Sequence, residues 1–144
     1  MNIRPLTESD IPSLTELVDA SEHLSTTRIT LYWLFSSFFT STSLVMEDDG
    51  KVVGACLGFL DQEEGKIGYI HKLGVLKEYR EQGIATRLMD AFGEAAATKG
   101  ATTVALTTLP ENEHAIAFYE NRGFTRKEIT KLGKARVWYD RSID

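Results

Sequence analysis

Only one cysteine occurs in this chain, Cys56, so no disulfide framework can form and a reducing compartment is expected. Prolines number three, no glycine adjoins another, and no biased stretch or internal repeat interrupts the chain, so no linker is expected. No apolar run approaches the roughly 20 residues that cross a bilayer, and neither a leader sequence nor a polybasic tail is visible. A cytoplasmic protein with no membrane partner is therefore expected. Basic residues are in deficit, 16 against 21 acidic, leaving a net charge of −5. That deficit argues against general nucleic-acid binding and mildly favours a cationic ligand. What is present is ordinary for a soluble globule: 144 residues, 42% hydrophobic and 26% charged. One domain over residues 1–144 can build a core without metal or disulfide staples.

Ile3 opens a short edge strand, and Thr7-Glu-Ser-Asp10 has the form of a capping box. The helix that follows should bury Ile11, Leu14, Leu17 and Val18. A second helix is expected from near Thr27 to Phe39, aromatic on more than one face through Tyr32, Trp33, Phe35, Phe38 and Phe39. Leu44 to Met46 and Val52 to Leu60 read as a hairpin about an Asp49-Gly50 turn. Asp61 to Gly65 turns the chain into a strand that carries His71. Alternation along that strand puts Tyr69, His71, Leu73 and Val75 on one face. A helix from Ile84 to near Lys99, a strand from Thr103 to Leu109 and a helix capped by Asn112 follow. Gly123 suits a left-handed helix end, and two last strands, Thr125 to Leu132 and Ala135 to Asp140, are joined at Gly133. This order predicts α+β architecture with a mixed sheet.

The most informative stretch is Arg80-Glu-Gln-Gly-Ile-Ala85, which sits between the strand ending at Val75 and the helix starting at Ile84. The first amides of a helix have no partner within it, and the peptide dipoles leave partial positive charge there. Gly83 lets a ligand approach the backbone without meeting a Cβ, and Arg80 adds fixed charge. The turn reads as a cradle for a diphosphate. A nucleotidase-type phosphate loop is excluded, because no Gly-x-x-x-x-Gly-Lys-Ser/Thr string occurs. The dinucleotide fingerprint is excluded too, since this turn has one glycine where three are needed.

The segment resembles the pyrophosphate loop of the GNAT superfamily of N-acetyltransferases, Arg/Gln-x-x-Gly-x-Gly/Ala, which Arg80, Gln82, Gly83 and Ala85 fit. Leu73-Gly-Val75 ahead of it and Ile84-Ala-Thr-Arg-Leu88 behind it strengthen the match. A second block, Asn112 to Phe124, resembles the superfamily's other cofactor-binding motif. The resemblance covers roughly residues 52 to 127. It implies a GNAT-like mixed, mostly antiparallel central sheet flanked by about four helices.

Acetyl-CoA is the co-substrate that the resemblance implies, with no metal. Its diphosphate would lie on the amides of Gln82, Gly83, Ile84, Ala85 and Thr86, with Arg87 beside them. Its pantetheine arm would pair along Leu73, Gly74 and Val75, near Asn112 and Phe118. Tyr119 matches the tyrosine that protonates the leaving sulfur, and an amide around Val75 would polarise the carbonyl. Many relatives carry a glutamate base on the strand where this chain has Tyr69. His71 is the first choice of base here, because imidazole titrates near neutrality; a water relay to Glu63 or Glu64, or no base, stays open. Tyr32, Trp33 and Tyr69 are candidates for the acceptor wall, and the aromatic helix is also open to a homodimer contact. The implied reaction is direct acetyl transfer to a primary amine: a small amine, an amino acid, or a protein lysine or N-terminus. The alternatives are a catalytically silent acyl-CoA sensor or interaction module on the same scaffold, and a nucleotide-binding fold.

Overall fold

The computed structural model describes residues 1–14, 17 and 26–143. In chain order its elements are β1 (Asn2–Pro5), α1 (Ile11–Leu14), α2 (Thr26–Phe38), β2 (Ser43–Asp48), β3 (Lys51–Leu60) and β4 (Ile67–Val75). Then come α3 (Ile84–Thr98), β5 (Thr103–Thr108), α4 (Glu113–Glu120), β6 (Thr125–Lys131) and β7 (Lys134–Ser142). The strands form one sheet in the order β1-β2-β3-β4-β5-β7-β6, and only β4 and β5 run parallel. The mixed, mostly antiparallel sheet with four helices is as the sequence predicts, and element ends fall within a residue or two of expectation. In the first helix a 3-10 turn over Glu8–Asp10 leads into the α-helical residues Ile11–Leu14; Ile11, Leu14 and Leu17 are buried as expected, and Val18 lies outside the described residues.

Local chemistry explains the reversals. Asp49 and Gly50 both take positive φ, 49° and 81°, as the mirror-image hairpin turn between β2 and β3 demands. Leu132 and Gly133 do the same between β6 and β7. Asn112 caps α4 by accepting from the Ala115 amide at 3.1 Å. At the other end Gly123 is left-handed, and the Phe124 amide returns to the Tyr119 carbonyl at 3.2 Å.

Each sheet face carries its own helices. On one face α3 buries Ile84, Leu88, Met89, Phe92 and Ala96 against the central strands. Gly58 allows this approach: a Cβ there would overlap the Phe92 ring. On the other face α2 packs Phe35 against Phe59, with ring centres 6.2 Å apart, and Phe39 packs on Phe59 at 5.6 Å.

Between β3 and β4 the register slips once. Leu57 pairs with Lys72 but Gly58 pairs with Ile70, leaving His71 as the extra residue of a β-bulge. The bulge resets the alternation. Tyr69, opposite Phe59, and His71, stacked on Phe35 at 5.2 Å, lie on the α2 side. Leu73 pairs with Cys56 and Val75 with Gly54, on the α3 side. The expectation that Tyr69, His71, Leu73 and Val75 share a face is therefore wrong for the last two. An uninterrupted period of two cannot foresee an inserted residue.

Candidate active site

The two parallel strands part company early. β4 and β5 pair only at Ile67–Thr103, Gly68–Val104 and Tyr69–Ala105. Beyond Tyr69 the two strands no longer pair, and among the described residues the main chain of Leu73, Gly74 and Val75 has no strand partner on the side that faces β5. Unpaired strand amides and carbonyls are a template for any extended, amide-bearing molecule. A groove of about 880 Å³ runs along this opening. Leu73, Gly74 and Val75 line one wall; the start of α3 lines the floor; Asn112, Ala115, Phe118, Tyr119 and Arg122 line the opposite wall.

The floor is the turn singled out from the sequence. Glu81 and Gly83 are both left-handed, at φ 64° and 79°. Gly83 is the N-cap of α3, and a Cβ placed on it would meet no heavy atom within 4 Å. The first intrahelical bond runs from the Arg87 amide to the Gly83 carbonyl at 3.0 Å, so the amides of Ile84, Ala85 and Thr86 precede the ladder. Open space in front of unpaired amides at the positive end of a helix dipole fits an anionic group. Arg80 bends back on the turn, its Nε donating to the Val75 carbonyl at 3.2 Å. Gln82 and Arg87 are exposed and stand outside the groove walls.

Tyr119 presents the one phenol on the opposite wall. Its ring is held by Phe118 at 5.3 Å, Phe124 at 5.6 Å and Tyr139 at 5.7 Å. Burial pushes its ionisation well above the usual tyrosine value, and the nearby Cys56 thiol adds to the shift. The phenol is therefore a proton donor at neutral pH. Cys56 itself is fully buried and its thiol is pushed up by that burial, so no reactive thiolate is available.

Arg122 escaped the sequence reading, although its place just before the left-handed Gly123, where a cation can meet the last helix carbonyls, was a usable signal. Its guanidinium lies 3.6 Å from the Phe118 ring centre. It donates from Nε to Thr86 Oγ1 at 2.9 Å and from Nη1 to the Phe118 carbonyl at 3.0 Å. One cation thus ties the end of α4 to the first turn of α3 at the groove rim.

The far side of the sheet carries the other candidates. Tyr69 is half-buried, its hydroxyl 2.9 Å from Thr107 Oγ1 across the point where β4 and β5 diverge. Thr107 in turn accepts from Arg136 Nη2 at 2.9 Å. Trp138 packs on Tyr69 at 6.2 Å and donates to Asp140 Oδ2 at 2.8 Å. His71 is exposed on this side, stacked on Phe35. Tyr32 is 2% exposed and packs in the core. Trp33 is exposed and packs edge-on to Phe38, away from the groove. Thr107, Arg136 and Trp138 were missed because their roles depend on which strand neighbours β5, which sequence order does not reveal.

The described residues contain no helix long and apolar enough to cross a membrane and no cluster of potential metal ligands. The chain is 38% identical over 98 residues to N-alpha-acetyltransferase 30 of Schizosaccharomyces pombe. That alignment takes in 67% of this chain and 65% of the relative, so it spans just under two thirds of the relative's length. Among solved structures, Ard1 from Thermoplasma volcanium superposes with a TM-score of 0.83 at 22% identity, covering 99% of this chain and 97% of its own. Naa50 of Arabidopsis thaliana, solved with the bisubstrate analogue CoA-Ac-MVNAL, superposes with a TM-score of 0.77 at 21% identity, covering 98% and 97%. At these identities the two structures speak for the fold. Residues 11–124 match the sequence profile of the Acetyltransferase (GNAT) family, and the chain belongs to that family.

Proposed function

We propose that this protein transfers an acetyl group from acetyl-CoA to the α-amine of a protein N-terminus, by direct attack within a ternary complex. The observation that carries the reading is the opening between β4 and β5, where Leu73 to Val75 lead to the unpaired amides of α3. Acetyl-CoA supplies a thioester-activated acetyl group. The amides of Ile84, Ala85 and Thr86 and the Arg122 guanidinium would hold the diphosphate, with Arg80, Gln82, Gly83 and Arg87 around it. Leu73, Gly74 and Val75 would pair with the amide-rich arm, Asn112 and Phe118 facing it from α4. An amide near Val75 would polarise the acetyl carbonyl. Tyr119 would deliver its proton to the departing sulfur. His71, across the sheet from Tyr119, would take the proton lost by the amine. Cys56, buried and protonated, has no part in this scheme, which supports direct transfer over a covalent acyl-enzyme.

A protein N-terminus is preferred over a small amine because of the similarity to an N-alpha-acetyltransferase. The open acceptor side, with Tyr69, His71 and Trp138 only partly buried or exposed, also suits a peptide. A cytoplasmic location belongs to the same reading and is supported by the lone, buried Cys56. A homodimer through the exposed Trp33 and Phe38 of α2 belongs to it as well. The test is thiol release from acetyl-CoA, followed with peptides bearing a free or a blocked α-amine and with small amines. Release with free N-termini only is expected. Binding of acetyl-CoA without release for any amine would instead assign the scaffold to sensing.

A further inference from the structure

We propose that the acceptor side reads acidic side chains that follow the reactive amine, so that the preferred substrates are N-termini with Asp or Glu in their first few positions. The inference rests on the N-acetyl-transfer reading above. Averaged over the chain the charge is −5, which favours a cationic acceptor. The local distribution is the opposite. From Arg126 to Arg136 there are five basic residues and one acidic residue, Glu128.

The register of the β6–β7 hairpin sorts these charges by side. Lys127 stands opposite Trp138, Ile129 opposite Arg136, and Lys131 opposite Lys134. Facing residues of an antiparallel pair share a side, as do residues two apart on one strand. Lys127, Lys131, Lys134 and Arg136 therefore all stand with Trp138, on the side where Trp138 packs on Tyr69. Arg126 and Glu128 project the other way and pair with each other at 2.7 Å. Glu128 is thus spent on the opposite side. Among the described residues no carboxylate pairs with the four cations. Asp140, the acid of β7 on this side, is held by the Trp138 indole at 2.8 Å.

Arg136 is the anchor of the set. It is half-buried and fixed by its bond to Thr107 Oγ1, which spends one of five N–H donors and leaves the rest for a carboxylate. From Trp138 to Lys134 the strand climbs about 14 Å at roughly 3.4 Å per residue. An extended peptide with its amine in the β4–β5 opening would lay its next few side chains past Arg136, Lys134 and Lys131.

The experiment compares labelled peptides with the same first residue and either Asp/Glu or Asn/Gln at the next four positions. Fluorescence anisotropy in the presence of CoA reads binding, and thiol release reads turnover. The acidic peptide should bind about tenfold more tightly at low salt, the advantage shrinking as ionic strength rises. Arg136→Gln, and separately the exposed pair Lys131→Gln with Lys134→Gln, should each erase most of that advantage. Arg126→Gln, on the other side, should not. A binding preference of this kind supports the inference even if no thiol is released, whereas absent turnover counts against acetyl transfer alone. Equal affinity for the two peptides overturns the inference. Tighter binding of a ribo-oligonucleotide than of the acidic peptide also overturns it, by making the side a nucleic-acid surface.

Discussion

Arg122 donates to Thr86 across the mouth of the groove at 2.9 Å, joining the turn just past α4 to the first turn of α3. The guanidinium is fixed on both flanks, by the Phe118 ring and by the Phe118 carbonyl, so its charge stays beside the unpaired amides of α3. Removing it should weaken binding of a diphosphate-bearing donor. Arg122→Met keeps the apolar stem against Phe118 and should raise the Kd for CoA about tenfold, one charge-assisted contact's worth. Calorimetry checks this. Arg122→Lys should recover little, because a point charge cannot reach Thr86 and stack on the ring together.

Tyr119→Phe leaves ring packing almost intact and deletes only the proton donor. Turnover should fall about hundredfold, within the usual range for a lost general acid, while CoA affinity changes little. Equal loss of both would reduce Tyr119 to a packing residue. Burial raises the phenol's ionisation, so turnover should show no decline from tyrosinate formation up to about pH 10. The same shift has a stability consequence. A tyrosine held protonated in the fold contributes fully below its unfolded value near 10 and loses that contribution as pH climbs past it. Alkaline unfolding should therefore be gentler in the phenylalanine variant.

Gly83 separates strain from obstruction. At φ 79° an alanine costs about 1–2 kcal/mol, even though its Cβ would meet no neighbour within 4 Å. Gly83→Ala should lower chemical-denaturation stability by about that amount. Gly83→Val adds branched atoms to the space in front of the α3 amides, so it should weaken CoA binding beyond what the alanine variant does. If valine and alanine variants bind CoA as tightly as the parent, the anion is not held at this turn.

How much of this could be read from the chain alone follows from the range of the interactions. The Asp49-Gly50 turn, the Asn112 cap and the left-handed Gly123 are set by neighbours within four residues, and each appears where the sequence puts it. The Arg80 to Ala85 turn was legible for the same reason. His71 as a bulge residue was not, since the slip is decided by how β3 meets β4. The contacts of Gly58 with Phe92, of Arg136 with Thr107 and of Tyr69 with Trp138 join residues far apart in sequence. The aromatic helix α2 carries more apolar faces than one core needs, and Tyr32 is on the buried one. Only the packing of α2 decides which face is buried.

The groove wall at Gly74 rests on an anchor at the start of the chain. Arg4 grips Asp10 with both nitrogens, Nη1 to Oδ2 at 2.8 Å and Nη2 to Oδ1 at 2.9 Å, and the Thr7 amide adds a third bond at 2.9 Å. This clasp orients α1, which leads to buried Leu17 packed beside Gly74 in the groove wall. Burial by itself would raise the Asp10 carboxyl, but the Arg4 fork and the Thr7 donors outweigh it and hold the carboxyl below its usual range. A depressed carboxylate contributes stability above its unfolded value near 3.9 and forfeits it as pH falls through the lower folded value. Asp10→Asn should therefore cost about 1–3 kcal/mol at pH 7, the worth of hydrogen bonds to a charged group. The gap between parent and variant should close as the pH drops below about 4. Denaturant melts at pH 7, 5 and 3 measure that convergence. A gap that stayed constant across them would mean that the side chain's shape, not its charge, holds α1 in place.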